Sequence, residues 1–254
     1  MRWVLPGLLL MLYDACARVF VQLLDHAKHV RYIMLRGAGT HFSGGIDLKG
    51  MSRVFGARKC NDGISLPSPR EHRHSSYHVL CCVCATSVLY EASRMGEQGQ
   101  QYIRAFFREL YQLNFITSGL RTPLMSFLHG TISSSSCGLV LGGKYRFASP
   151  NVQFSLPECR LGFIPDAGAT YHLARIPGLV GMYIALTGQV LNMGDLLYTG
   201  LATHAVGVDE FTPLQQLLMA SEYDEHMDMH LKLHFPVPPG ASSLSGLIEV
   251  GMLW

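Results

Sequence analysis

The sequence predicts an α/β fold. Short apolar runs typical of buried strands alternate with amphipathic helical stretches over about 200 residues, as expected when helices pack on a mainly parallel sheet. The chain has 254 residues, of which 48% are apolar and 15% are charged. This length and composition are enough for one large domain or two small ones with a sizeable core, and they argue against disorder along the whole chain.

Charge and cysteine content give no support to nucleic-acid binding or to a disulfide framework. The formal net charge of +2 is too small to indicate a nucleic-acid partner. The cysteine count is seven, an odd number, and Cys81, Cys82 and Cys84 are too close together to be good disulfide partners. We therefore expect a reducing compartment.

The N-terminal segment has two interpretations. Arg2, an apolar stretch and the small residues 15–17 resemble a secretory signal with its cleavage site. The apolar positions recur at helical spacing, however, and the pattern continues as far as Leu23. This continuation favours an amphipathic core helix over residues 8–28. The apolar run is about half the length of a membrane span, so we expect no membrane association.

The first hundred residues are predicted to combine a strand, a loop and an insertion. Residues 30–35 form an apolar run typical of a buried strand, and a glycine-bearing loop follows over residues 40–51. Residues 52–100 are rich in Ser, Arg, His, Pro and Gly and show little periodicity. We interpret them as a polar insertion on the surface of the domain.

Regular structure is predicted to resume after residue 100 and to end near Ala220. The tail beyond that residue is expected to be loosely held. The predicted elements are a helix over 101–116, a buried strand after Pro123, a helix over 136–143, two strands around the turn at 149–151, helices ending at Gly188 and Gly200, and a strand over 201–206.

Four consecutive serines, Ser133–Ser136, lie between apolar runs. One interpretation is a serine nucleophile, but no G-x-S-x-G pattern surrounds these residues. The other is a backbone site at which glycines have been replaced.

The segments "HFSGGIDL", "HGTISSSSCGL" and "SLPECRLGFIPDAGATY" together resemble a known family. With "FFRELYQLN" and "IALTGQVLNMGDLLYTGLATHAV", they are similar to the 3-hydroxyisobutyryl-CoA hydrolase branch of the crotonase superfamily, in order and without gaps from Phe106 to Val206. The resemblance implies a crotonase-like spiral of stacked ββα units with a helical C-terminal region. It also implies assembly into a homo-oligomer.

The resemblance also sets the expected extent of the domain. Segments of the family have no counterpart before Leu8 or after Trp254. We therefore expect a crotonase-like domain over residues 1–220, with the insertion at 52–100, that is truncated at both ends. Residues 221–254 would be a partial C-terminal segment.

The resemblance assigns roles to four residues. The backbone N–H groups of Ile46 and Ser135 would form an oxyanion hole for the thioester oxygen. Glu158 would act as nucleophile or general base at the acyl carbon. Asp166 would lie near the substrate hydroxyl and the attacking water.

Two of the four expected substrate-binding positions are changed, while Glu158 and Asp166 are retained. Ser135 takes the middle place of the family's glycine triplet, where it keeps the N–H but adds a side chain. Leu110 replaces the second glutamate of an Arg-Glu-Glu-Tyr motif. The neighbouring Glu109 points about 100° away on a helix, so it cannot substitute for that glutamate.

The implied activity is hydrolysis of a short-chain hydroxyacyl-CoA thioester, with 3-hydroxyisobutyryl-CoA giving 3-hydroxyisobutyrate and CoA in mitochondrial valine catabolism. The expected partner is the acyl-CoA substrate, and no cofactor is expected beyond the CoA that it carries. An alternative is a catalytically impaired homologue that serves as a structural subunit, for example of the mitochondrial ribosome. The changes at Leu110 and Ser135 suit that alternative.

Two further interpretations are weaker. An enoyl-CoA hydratase or isomerase would commonly use two glutamates, one of which would fall near Leu110. Zinc binding is not expected, because the spacing of the potential ligands matches no common zinc motif. Those potential ligands are His72, His74, His78, Cys81, Cys82 and Cys84.

Overall fold

The computed structural model describes residues 32–37, 76–80, 94–133 and 135–220, together with residues 231, 235, 242 and 244. The predicted helix over residues 8–28 lies outside these residues. So does the predicted loop that contains Ile46.

The centre of the fold is a five-stranded sheet. Its strands are β1 (Tyr32–Arg36), β2 (Ser76–Leu80), β3 (Leu124–Leu128), β5 (Tyr145–Ala148) and β7 (His204–Ala205). They lie in the order β2-β1-β3-β5-β7, and each pair of neighbours is parallel. The strands predicted at 30–35, after Pro123, before the turn at 149–151 and within 201–206 are confirmed.

A second, two-stranded parallel sheet lies beside the first. It consists of β4 (Thr131–Ser133) and β6 (Gln153–Ser155), with Ser133 opposite Ser155. Each of these short strands follows a strand of the main sheet and is followed in turn by a helical segment. The ββα unit that the family resemblance implies therefore occurs twice in succession in this part of the chain.

The helices of the described residues pack around these sheets, and none of them combines the length and apolar character needed to cross a bilayer. The predicted helices ending near residues 116, 188 and 200 are confirmed, and α4 ends at Gly188 with a φ of +55°. The helices are α1 (Gly96–Ser118), α2 (Ser135–Leu141), α3 (Ala169–Leu173), α4 (Val180–Thr187), α5 (Met193–Tyr198) and α6 (Phe211–Ala220), with 3-10 helices at Pro157–Leu161 and Val208–Glu210.

The strands β1 and β3 are buried on both faces, which explains why they are mainly apolar runs. On β1, Ile33 and Leu35 point into one core cluster, while Tyr32 and Met34 point into the other. Side chains alternate between the two faces of a strand, and a parallel sheet is covered on both. The helices α1 to α5 contribute to the first cluster, and α6 contributes to the second.

The predicted insertion at 52–100 needs correction where the structure describes it. Ser76–Leu80 form an edge strand that pairs in parallel with β1, and Gly96 begins α1. The polar composition of this segment suits an edge position, where pairing is made on one side only. These parts belong to the sheet and to a main helix of the domain.

The tail beyond Ala220 returns to the domain at the positions that the structure describes. Leu231 and Leu244 are buried in the two core clusters. The Ser242 hydroxyl donates to Asp195 Oδ1 at 3.1 Å, close to the start of α5. At these positions the tail is packed against the domain, contrary to the expectation that it is loosely held.

Close backbone contact fixes α2 against the loop that precedes α3. A Cβ atom on Gly138 would lie 1.5 Å from the carbonyl oxygen of Ala167. Only a residue without a side chain allows α2 and this loop to approach so closely. The same loop carries Asp166, so this contact determines where that carboxylate lies.

We expect Gly138→Ala to destabilise the fold by about 1–3 kcal/mol, because the added methyl group collides with backbone rather than with a flexible side chain. Urea unfolding followed by circular dichroism measures the change as a lower midpoint at an unchanged slope.

Gly119→Ala is the matched control for this prediction. Gly119 has a φ of −95°, and the nearest atom to its added Cβ would be 3.7 Å away. We expect this variant to equal the wild type or to gain up to about 1 kcal/mol from the lower entropy of the unfolded chain. Equal midpoints for the two variants would contradict the proposed packing of α2.

Candidate active site

The edge formed by the ends of β4 and β6 gathers the predicted catalytic groups. The two strands are parallel, with Ser133 opposite Ser155, so their carboxyl ends meet at one edge. From this edge β4 leads into α2, which begins at Ser135, and β6 leads into the 3-10 helix that carries Glu158. Helix α2 and the 3-10 helix that carries Glu158 therefore both begin near this edge.

Two serines of the run, Ser133 and Ser136, take part in local hydrogen bonds. The Ser136 hydroxyl donates to the Ser133 carbonyl at 2.8 Å, and the Ser155 hydroxyl donates to the Ser133 hydroxyl at 3.3 Å. Both Ser133 and Ser136 are buried. Neither is presented as an exposed nucleophile, which agrees with the absence of a nucleophile motif around them.

Ser135 is the first residue of α2 and has a helical backbone. A negative φ is accessible to any residue, so serine in place of glycine does not prevent this backbone from forming. The first four N–H groups of an α-helix have no acceptor within the helix. The Ser135 N–H therefore has no acceptor within α2, as the predicted oxyanion donor requires. The second predicted donor, Ile46, lies outside the described residues.

Glu158 is held by the 3-10 helix and is almost completely buried, with 4% of its surface exposed. Pro157 occupies the first turn of this helix, and Gly162 ends it with a φ of +77°. The Phe163 N–H donates to the Glu158 carbonyl at 3.0 Å. Buried carboxylates are rare outside ion pairs and functional sites, because water solvates the charged form best.

Asp166 lies in the loop before α3 and is half-buried. Its carboxylate Oδ2 accepts a hydrogen bond of 3.1 Å from the Tyr111 hydroxyl. Burial raises the pKa of Asp166 above its ordinary value, while the hydrogen bond from Tyr111 opposes that rise.

The loop after Asp166 has a strained backbone. Ala167 is buried and has a φ of +47°, and Gly168 follows with a φ of +85°. Ala167 is the only non-glycine residue with a positive φ in the described part of the chain. Such backbone costs of order 1–3 kcal/mol and persists only where the surrounding packing enforces it. Here the contact with Gly138 provides that packing.

A buried thiol shows that the two carboxylates share one region. Cys137 on α2 is fully buried, and its Sγ donates to the Ser155 carbonyl at 3.5 Å. Burial raises the pKa of the Cys137 thiol well above its ordinary value, and the negative charges of Glu158 and then Asp166 raise it further. Glu158 and Asp166 therefore both act on one sulfur atom in the first turn of α2.

Leu110 and Tyr111 follow each other on α1 but have different environments. Leu110 is buried in the same core cluster as Cys137 and Ala167. Tyr111 is 46% exposed and reaches Asp166. The prediction that Leu110 occupies a substrate-contacting place stays a prediction.

Sequence reasoning assigned no role to Tyr111 or Cys137. Tyr111 ends the "RELY" motif, and Cys137 comes two residues after the predicted donor Ser135. Closeness to a motif was therefore the sequence signal that could have identified them.

Within the described ranges, no group of three or more potential metal ligands comes together. Of the histidines and cysteines between 72 and 84, only His78 lies in a described element.

Comparison with known proteins identifies relatives of this chain. The sequence pattern of the enoyl-CoA hydratase/isomerase family matches residues 15–243. Mitochondrial 3-hydroxyisobutyryl-CoA hydrolase of Xenopus tropicalis is 36% identical over 137 residues, which are 54% of this chain and 36% of that protein. Small ribosomal subunit protein mS47 of Arabidopsis thaliana is 36% identical over 110 residues, which are 43% of this chain and 27% of that protein.

A solved structure supports the fold. The structure of a carnitinyl-CoA dehydratase from Mycobacterium thermoresistibile matches with a TM-score of 0.63 over 93% of this chain and 56% of that chain, at 19% identity. The chain spans roughly a third of the length of the curated relatives it matches. The crotonase-like α/β fold predicted from the sequence is confirmed. The chain belongs to the enoyl-CoA hydratase/isomerase family. This family is the crotonase superfamily, and the chain falls in its 3-hydroxyisobutyryl-CoA hydrolase branch.

Proposed function

We propose that this protein hydrolyses the thioester of a short-chain hydroxyacyl-CoA, with 3-hydroxyisobutyryl-CoA as the favoured substrate. The proposal is supported by the Glu158 carboxyl group, which is almost completely buried on the 3-10 helix after β6, and by the charges of Glu158 and Asp166, both of which raise the pKa of the Cys137 thiol on α2. The choice of substrate follows the Xenopus tropicalis relative, whose name gives that activity.

The first part of the mechanism is stabilisation of charge on the thioester oxygen. The N–H of Ser135, at the start of α2, is the proposed donor on this side, and the N–H of Ile46 is the proposed second donor. Fixed donors aimed at an oxyanion lower the barrier by about 3 kcal/mol each in comparable sites.

The second part is attack at the acyl carbon. Glu158 acts in one of two ways. As a general base it takes a proton from the attacking water, the carbon–sulfur bond breaks, and the proton passes to the CoA thiolate. As a nucleophile it displaces the CoA thiolate and forms a mixed anhydride, which water then hydrolyses to release the hydroxy acid and restore the Glu158 carboxylate. Asp166 orients the water and the hydroxyl of the acyl group. Asp166 is the more exposed of the two carboxylates, which suits a group that contacts water. The products are the free hydroxy acid and CoA, and water and the acyl-CoA are the only reactants.

The cellular setting of the proposal is valine catabolism in the mitochondrion. The Xenopus tropicalis relative is named as a mitochondrial protein. A homo-oligomer remains part of the proposal.

A second candidate function is that of a structural subunit, for example in the mitochondrial ribosome. It is favoured by the similarity to ribosomal protein mS47 of Arabidopsis thaliana, at 36% identity over 110 residues, against 41% over 110 residues for a probable 3-hydroxyisobutyryl-CoA hydrolase of the same organism. The serines in place of the glycine triplet and Leu110 in place of a glutamate suit a chain that no longer needs turnover. A hydratase or isomerase is disfavoured because Leu110 supplies no second carboxylate.

We expect Glu158→Gln to lower thioester hydrolysis at least about 100-fold, because it removes the group that attacks or acts as base while keeping its shape. Purified protein is mixed with 3-hydroxyisobutyryl-CoA and a thiol reagent, and release of CoA is followed. Glu97→Gln, an exposed position in the first turn of α1, is the matched control and should keep the wild-type rate. Equal, near-zero rates for the wild type and Glu158→Gln would reject the hydrolase proposal.

We also expect the pKa of the Cys137 thiol to fall in Glu158→Gln and, by a smaller amount, in Asp166→Asn, because each change removes a nearby negative charge. The titration is followed by NMR of protein with 13Cβ-labelled cysteine, in which Cys137→Ala identifies the resonance. Asp209→Asn, an exposed position outside the site, should leave the titration unchanged. An unchanged thiol titration in all three variants would show that the carboxylates do not converge.

Ribosome association is tested separately. Under the hydrolase proposal, the tagged chain should stay at the top of a sucrose gradient of mitochondrial lysate. Co-sedimentation with the small ribosomal subunit, together with absent thioester cleavage, would favour the structural role instead.

A further inference from the structure

We propose that Tyr111 is a positioning residue for Asp166, whose carboxylate plane its phenol O–H fixes for the reaction. This inference rests on the proposed function, because it takes Asp166 as the group that orients water and substrate. It concerns a residue to which neither the family resemblance nor the comparisons assign a role.

The contact joins two distant parts of the chain. The Tyr111 hydroxyl on α1 donates to Asp166 Oδ2 at 3.1 Å, across 55 residues of sequence. Rotation of an aspartate carboxylate about its last torsion is soft and roughly two-fold, so the residue itself does not set the plane. A directional hydrogen bond to one oxygen does set it, and the other oxygen is then oriented as well.

The phenol ring lies beside an aromatic neighbour on the same helix. The Tyr111 ring lies 5.7 Å from the Phe107 ring, which in turn meets Phe106 edge to face at 5.5 Å. Phe106 is fully buried in the main core, and Leu110 is buried immediately before Tyr111. The donor therefore stands on a helix whose inner face is packed.

The backbone of the acceptor loop is fixed too, which leaves the carboxylate torsion as the main freedom of Asp166. The Ala167 carbonyl is pressed against Gly138, and Ala167 and Gly168 both have positive φ. Asn114, one turn along α1 from Tyr111, lies against the same region, since its Oδ1 would be 3.0 Å from a Cβ on Gly138. Helix α1 thus supports the loop at two successive turns.

The hydrogen bond also favours the ionised carboxylate. A donor to a carboxylate stabilises the charged form and lowers its pKa, in opposition to the rise caused by burial. Burial, and then the charge of Asp166 and the hydrogen bond to it, raise the pKa of Tyr111 to about 12. The phenol therefore remains a protonated donor at neutral pH. Removal of the phenol oxygen should raise the pKa of Asp166.

Other titratable groups nearby stay the same in this test. Glu158 on the 3-10 helix and Cys137 on α2 lie in the same region. His172, on the helix after the Asp166 loop, has its pKa lowered to about 4 by burial and then by the charges of Arg146 and Arg175, so it is neutral at higher pH. A change in the titration of Asp166 can then be assigned to Tyr111.

The test compares Tyr111→Phe with Tyr183→Phe by NMR of protein with 13Cγ-labelled aspartate, in which Asp166→Asn identifies the resonance. Tyr183 is the matched control, because its hydroxyl also donates to a side chain, in this case to Gln189 Oε1 at 2.9 Å. We expect the Asp166 midpoint in Tyr111→Phe to move to higher pH by about half to one unit, since water partly replaces the lost donor at this half-exposed site. Tyr183→Phe should leave it unchanged.

The kinetic readout separates positioning from a general structural effect. In Tyr111→Phe the acid limb of kcat/KM should move with the NMR midpoint, and kcat should fall about tenfold with KM within about twofold. A folded Tyr111→Phe with the wild-type midpoint and profile would overturn the inference while leaving the hydrolase proposal intact. A shifted midpoint in a protein without thioester cleavage would uphold the Tyr111–Asp166 pairing and reject the hydrolase proposal.

Discussion

The site depends on the backbone contact between Gly138 and Ala167. This contact allows α2 to lie directly against the Asp166 loop, with no side chain between them. It maintains the strained φ of Ala167, and it brings Asp166 to the same helix turn that carries Cys137. A side chain at position 138 would separate the two carboxylates from each other and from the start of α2.

The same packing buries ionisable groups, and a local hydrogen-bond donor offsets part of the cost of the charged form. Burial disfavours the charged form of Asp166, and it also disfavours the thiolate of Cys137. The phenol of Tyr111 offsets part of this cost at Asp166, which is the more exposed of the two. The thiol remains protonated beside them, because both charges oppose its ionisation. Cys137 therefore fills space as a neutral side chain, and it is not an activated nucleophile.

The sequence was sufficient to predict most of the fold but only part of the site. The strand after Pro123 and the helix ending at Gly188 have local signals, namely an apolar run and a glycine with positive φ. The strand Ser76–Leu80 follows a long stretch rich in Ser, Arg, His and Pro, so composition predicts an insertion there and gives little signal for an edge strand. The Tyr111–Asp166 hydrogen bond has no local signal at all, since it joins residues that only the tertiary fold brings together.

The serine run shows which property of the family's glycine triplet matters here. Glycine offers both a freedom of backbone conformation and an absence of side-chain volume. At Ser135 the backbone is helical, so the first property is not required, and the N–H that would face an oxyanion is retained. At Ser136 the added hydroxyl is buried and donates to the Ser133 carbonyl. The replacement therefore adds side-chain volume beside the proposed oxyanion donor, while the helical backbone of Ser135 keeps its N–H.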